Sequence, residues 1–247
     1  MRIIDAHTHI GSCKWSGHDG EFVSADESVE QMRSYGIEWV ITVPWQAVLC
    51  EVERDMDEGN AEALELHAKY PDFIYPGVVV DFRWPQRSLY WLEQFHKERF
   101  CWVGEMVPKP AEGETPFTDP AWQAIFECAE DYNMIVQLHN STGTAAVAKA
   151  HPRLQVVGSH LNPQIVPLLI DMPNVMLDIS GVHGGLYLNC LKNARRDYGA
   201  ERLLYGTDYE GYDPTCFIFR VQATFTPEEQ KLVFYENICK LIDAHTC

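Results

Sequence analysis

Near its amino end the chain reads IIDAHTHI, Ile3 to Ile10, an apolar run that gives way to an acid and two histidines at Asp5, His7 and His9. On an extended backbone alternate side chains share a face, so both imidazoles point the same way with Cα atoms roughly 6.6 Å apart. Two imidazoles so placed can bind one cation. Four further apolar runs end in residues of the same chemical kind: Glu105, His139, His160 and Asp208. His139 would supply a third ligand, and Asp208 a fourth or a base. Neutral imidazole and carboxylate suit Zn, Mn, Fe or Ni, with Zn the leading choice; no thiolate ligand is in place for a closed structural zinc site. Each residue also has a plainer reading. His139 or His160 alone is more often a hydrogen-bonded structural histidine, Asp208 is a turn residue in GTDYEGYDP, and Glu105 can pair with Lys109. All of these strand ends being polar at once points to a shared site. Asp5 is expected to orient one of the rings from behind.

The elements that must position these residues form a regular series. Short apolar, β-branched runs at residues 2–5, 39–43, 73–80, 101–106, 133–139, 154–160, 175–180 and 202–208 read as strands. Helices are expected between them at 25–35, 57–70, 86–97, 120–132, 142–150, 163–171 and 186–198, with a last one at 227–244. Ser24 and Glu27 form a capping box ahead of the first, and Pro120 follows Asp119 at the start of the fourth. Eight βα units in 247 residues have the size of a single (β/α)8 TIM barrel spanning 1–247. Its βα loops gather at one mouth, the C-terminal end of the strands, which is where the polar residues fall. The rival, an open doubly wound sheet, lacks support, since neither a G-x-G-x-x-G after the first strand nor a P-loop is present.

Composition narrows the partners. With 46% hydrophobic and 12% aromatic residues a substantial core can form. The net charge of −17 repels nucleic acid and anionic membrane surfaces and favours cations. No signal peptide and no run long enough to span a bilayer is read, and the eight cysteines are scattered without a C-x-x-C pair. A cytoplasmic protein with reduced thiols, acting on a small molecule, is expected; a homo-oligomer is left open. His67, His96, His151 and His245 read as solvated surface residues, whereas His18 and His183 fall on the active face.

The motifs IIDAHTHIGS, QLHN, GSH and LLYGTDY, together with VMLDISG and FYENICKLI, resemble the amidohydrolase superfamily. The nearest branch is the amidohydrolase-related group that includes aminocarboxymuconate-semialdehyde decarboxylase. The resemblance runs along the whole chain in order. It implies a (β/α)8 barrel in which His7, His9, His139 and Asp208 are metal ligands. His160 would then position or deprotonate the metal-bound water, or be a ligand itself if two metals bind. Many superfamily members carry a carboxylated lysine on strand four that bridges two metals; here Glu105 stands there, so any bridge would be that carboxylate. Glu236 replaces the glycine usual in the branch. VGEM and the strand-eight aspartate also resemble the TatD-like deoxyribonucleases, although MVPKP and YEGYDP do not, and the negative charge argues against DNA.

A divalent ion in an open site lowers the pKa of bound water from 15.7 to roughly 7. The expected activity is therefore metal-dependent hydrolysis of a small amide, ester or lactone, with Asp208 and His160 as the catalytic pair. Non-oxidative decarboxylation is the alternative, with a TatD-like binuclear phosphoesterase and a metal-retaining binding protein as lesser ones. Trp45, Arg83 and Tyr209, with Phe82, Trp84 and Tyr212, are expected to wall the pocket. Arg83 is the candidate clamp for a substrate carboxylate, with Lys109 second.

Overall fold

The structure, a computed structural model, describes residues 1–13, 23–185 and 187–246. Its strands are β1 (Ile4–Thr8), β2 (Trp39–Thr42), β3 (Ile74–Pro76), β4 (Trp102–Met106), β5 (Ile135–His139), β6 (Gln155–Ser159), β7 (Val175–Asp178) and β8 (Leu203–Leu204). All pairings are parallel, β1 to β3 forming one arc and β4 to β8 another. Bridges between Val78 and Val103 and between Thr8 and Tyr209 join the arcs. The Gly104 amide donates to the Val78 carbonyl at 2.7 Å, and the Asp208 amide to the His7 carbonyl at 2.8 Å. The chain is thus a (β/α)8 barrel. The third run is shorter than the sequence suggests: β3 ends at Pro76, the Gly77 amide still donates to the Thr42 carbonyl at 2.9 Å, and Val78 turns to the other neighbour, bridging Val103.

Around the strands run α1 (Ala25–Ser34), α2 (Trp45–Val48), α3 (Glu53–Lys69), α4 (Pro85–Lys97), α5 (Pro120–Asp131), α6 (Thr142–Ala150), α7 (Val166–Leu169), α8 (Gly181–Gly185), α9 (Cys190–Tyr198), α10 (Pro214–Thr224), α11 (Pro227–Lys231) and α12 (Asn237–His245). The expected capping box is present: the Glu27 amide donates to Ser24 Oγ, and the Ser24 amide to the Glu27 carboxylate. The last expected helix is not continuous, since a π-helical turn at Leu232–Glu236 separates α11 from α12. α2, α8 and α10 were not expected.

Apolar faces of the helices, such as Val29 and Met32, Leu92 and Phe95, and Ile125 and Phe126, pack on Val40, Val103, Val136, Val156 and Leu177. A second buried cluster joins Ile4, Ile41, Trp102, Ile135, Val157 and Leu204 to Ile238 and Leu241 of α12. Burying this much apolar surface, at roughly 25 cal/mol per Å², is what holds the strand ends in register around the mouth. Among the described residues no helix is long and apolar enough to cross a membrane.

Candidate metal centre

β1 delivers His7 and His9 to the mouth with their Nε2 atoms 3.2 Å apart. The proton positions follow from what lies behind each ring. His9 Nδ1 is 3.0 Å from the Val43 carbonyl, which can only accept, so that nitrogen carries the proton. His7 Nδ1 is 3.0 Å from Asp178 Oδ2. Ser180 Oγ donates to Asp178 Oδ1, which leaves the hydroxyl to accept from His160 Nδ1 at 2.9 Å. His7, His9 and His160, each at most 7% exposed, therefore turn Nε2 lone pairs into the cluster.

Glu105, at the end of β4, lies among them. Its Oε2 is 3.4 Å from His7 Nε2, and its Oε1 is 3.1 Å from His139 Nδ1 and 3.3 Å from His160 Nε2. The alternative pairing with Lys109 does not form: Lys109 Nζ donates to the Val48 carbonyl at 3.1 Å. Asp208 brings Oδ1 to 3.1 Å from His9 Nε2. That oxygen is buried without a hydrogen-bond partner. The two findings agree, because with the His9 proton on Nδ1 the contact sets one lone pair against another. Converging buried lone pairs and carboxylates are the donor set a divalent cation requires. The ligand atoms of His7, His9 and Glu105 lie within 4.8 Å of one another, as do those of Glu105, His139 and His160. Glu105 belongs to both triads, so the arrangement can accommodate one ion or two.

Titration behaviour reflects the same demand for positive charge. Burial opposes ionisation of Glu105, but His7 and His139 hold its carboxyl well below the usual range. Burial would lower the His7 pKa, and Asp178 and Glu105 more than reverse this, raising it well above an ordinary imidazole. Protons on imidazole here supply charge that a bound cation would supply instead.

Local backbone geometry is unusual at two of these residues. His160 and Asp208 have φ of 68° and 67°, in the left-handed region that non-glycine residues rarely adopt, and such outliers are sustained by surrounding contacts. The turn after β7 packs directly on one of them, since a Cβ on Gly181 would lie 2.5 Å from His160 Nδ1.

Other expected residues are placed differently. The Trp45 ring stacks on His9 with centroids 3.9 Å apart, at the site. Arg83 is not brought to the cluster: its Nε and Nη2 donate to Asp81 at 2.9 and 2.7 Å, and Nη2 also reaches the Cys50 carbonyl. Tyr209 turns away into the core, 5% exposed, its hydroxyl donating to Gln31 Oε1 at 2.6 Å. Asp5 does not orient a ring; it accepts the His7 and Thr207 amides and the Thr207 hydroxyl, and burial raises its pKa to about 7. Asp178 takes that orienting role. It is an acid at the end of an apolar run, VMLD, the signal that identified Asp208; it and Ser180 lie in VMLDISG and Gln137 in QLHN, but the sequence alone assigns none of the three a role. His151 is buried, not solvated. His183 lies beside Tyr187 on the active face, and His18 falls outside the described residues.

The family model described as Amidohydrolase matches residues 4–243. The 2,6-dihydroxybenzoate decarboxylase from Rhizobium superposes with a TM-score of 0.75 at 16% identity, covering 98% of both chains. A putative amidohydrolase from Staphylococcus aureus gives 0.76 at 14% identity over 98% of this chain and 100% of that one. The 5-carboxyvanillate decarboxylase from Novosphingobium aromaticivorans, complexed with manganese and 4-hydroxy-3-methoxy-5-nitrobenzoic acid, gives 0.68 at 15% identity over 88% and 79%. At these identities the likeness is one of fold. No curated protein matches the chain.

Proposed function

The chain belongs to the amidohydrolase family, and from that premise we propose that it is a metal-dependent, non-oxidative decarboxylase of a small conjugated carboxylic acid. The observation that carries this reading is the Trp45 ring, stacked on His9 with centroids 3.9 Å apart, which brings an aromatic side chain to the edge of the ligand cluster. A planar conjugated acid suits an aromatic-edged site, and conjugation is what lets the electron pair of the breaking bond spread away from one carbon. Two structural neighbours, the 2,6-dihydroxybenzoate and 5-carboxyvanillate decarboxylases, support the same choice.

In this reading His7, His9, His139, Asp208 and Glu105 hold a divalent cation, Zn or Mn. When bound, it supplies positive charge to the substrate oxygens and draws electron density from the ring. Asp208 and His160 hold and pass the proton. The balance is simple: one proton is delivered to the carbon that bears the carboxylate, the bond to that carboxylate breaks, and CO2 departs with neutral product left behind. Trp45 keeps water from the ring face. Arg83, committed to Asp81, and Tyr209, committed to Gln31, serve the pocket only indirectly, by holding the loops after β3 and β8 in place.

A second reading, hydrolysis of a small amide, ester or lactone, is favoured by one feature: Glu105 sits in two ligand triads, as a bridging carboxylate between two ions would. The two separate in one experiment. Zn- or Mn-loaded protein is given carboxyl-13C hydroxybenzoic acids, esters and lactones in D2O. Labelled CO2 with one deuterium at the vacated carbon is expected, and Asp208→Asn should slow it by about 10²- to 10⁴-fold. Ester or lactone cleavage with no labelled CO2 would overturn the decarboxylase reading.

A further inference from the structure

A chain of hydrogen bonds crosses the barrel beneath the cluster. Trp102 Nε1 on β4 donates to Gln137 Oε1 on β5 at 3.0 Å, and Gln137 Nε2 donates to Asp178 Oδ2 on β7 at 2.9 Å. The same oxygen accepts from His7 Nδ1 on β1 at 3.0 Å. None of the four residues is more than 2% exposed. Bonds from β5 to β7 and from β7 to β1 each skip a strand, so they run through the interior.

The direction of this chain is fixed at its far end. An indole N–H can only donate, so the oxygen of the Gln137 amide must face Trp102 and its NH2 must face Asp178. The amide cannot flip without placing two donors face to face in a dry interior. Asp178 Oδ1 is held separately by the His160 and Ser180 amides at 3.1 and 3.0 Å and by the Ser180 hydroxyl. Gln137 is thus the one side chain besides His7 that hydrogen-bonds Oδ2 among the described residues. His7 Nδ1 also has a rival acceptor, Ser180 Oγ at 2.9 Å. A neutral hydroxyl there would leave His7 a weaker base than a carboxylate does.

We propose that Gln137, oriented by Trp102, is a positioning residue that locks Asp178 onto His7 and so sets the ring orientation and donor strength of a metal ligand. This rests on the reading of His7 as a ligand. Trp102 and Gln137 are both buried; Trp102 lies outside the motifs that mark the family, and Gln137 opens QLHN without a ligand role.

The test is metal affinity of the full chain by chelator competition, on wild type, Gln137→Leu, Gln137→Glu and Trp102→Phe, beside His7→Ala/His9→Ala. Gln137→Leu is expected to weaken binding about 10- to 100-fold. Gln137→Glu should do at least as much, because its carboxylate can accept from Trp102 but has no N–H for Asp178. Trp102→Phe keeps a ring in the core and frees the amide; it should weaken binding about threefold or more and add nothing in the Gln137→Leu background, since both act through one path. This variant also serves if Gln137→Leu fails to fold. The second readout is the His7 Nδ1–H proton in 15N-histidine NMR, expected to shift or exchange away in the variants. Affinity within twofold of wild type with an unchanged resonance would overturn the proposal. If wild type itself takes up no metal, the ligand reading fails instead, and the His7 resonance alone decides whether Gln137 positions the ring.

Discussion

The Nδ1 protons of His7, His9 and His160 are each taken by an acceptor behind the cluster: Asp178, the Val43 carbonyl and Ser180. What faces the mouth is lone pairs. The opposite case lies near the mouth, where Arg83 and Lys109 meet the buried Asp81 carboxylate and Cys50 sits 3.7 Å from it. Here the positive charges are spent within the fold. Burial is the main cause that pushes the Cys50 thiol up to about 11, with Asp81 adding to it and Lys109 and Arg83 opposing. An unfolded thiol ionises near its ordinary value of 9.0, so between pH 9 and 11 the unfolded chain releases a proton that the folded chain keeps. The stabilisation is fully present below pH 9 and is lost as pH rises through 11, on the order of 2 kcal/mol. Denaturation of wild type and Cys50→Ala across that range should show the steeper fall in wild type. Parallel slopes would refute it. At pH 8 a thiol reagent should label exposed Cys216 well before Cys50.

Among the elements, the turn from β7 into α8 carries most of the support for the site. In four residues it supplies Asp178, Ser180 and the close approach of Gly181, whose φ is +65° and whose added Cβ would meet His160 Nδ1 at 2.5 Å. Gly36, after α1, has a φ of +81° and open space around it. Comparing the two separates backbone strain from collision. Gly36→Ala should cost about 1 kcal/mol in chemical denaturation. Gly181→Ala should cost more, about 2–4 kcal/mol, and should weaken metal binding as well, because His160 must move. Equal costs, with metal binding intact in both, would show that His160 yields freely.

For the molecule as a whole, thirty-six acidic against nineteen basic residues set a field that draws cations to a mouth already rich in carboxylates. A ligand that binds only the folded chain raises its stability by mass action. At free metal about one hundred times the dissociation constant this amounts to roughly 2.7 kcal/mol, which for a chain of this size is about 5–10 °C in Tm. Wild type with Zn or Mn should show that rise, and a chelator should reverse it. His7→Ala/His9→Ala should show none; an equal rise in that variant would place the metal elsewhere.

The eight-fold βα rhythm and the residues His7, His9, Glu105, His139, His160 and Asp208 were legible in the sequence. In a parallel barrel every strand ends at the same mouth, so position along each strand already determines position in the site. Where side chains answer to partners far along the chain, the sequence was silent. His7 and its orienting Asp178 are 171 positions apart, and Gln137 and Asp178 are 41 apart. Nothing local marks such pairs, because they are chosen by which interior-facing residues meet when the sheet closes. The same closure turned Tyr209 inward onto Gln31 and gave Arg83 to Asp81, although both follow strands, as pocket residues do. The strand period sets which face a residue takes; only the closed barrel sets what it faces.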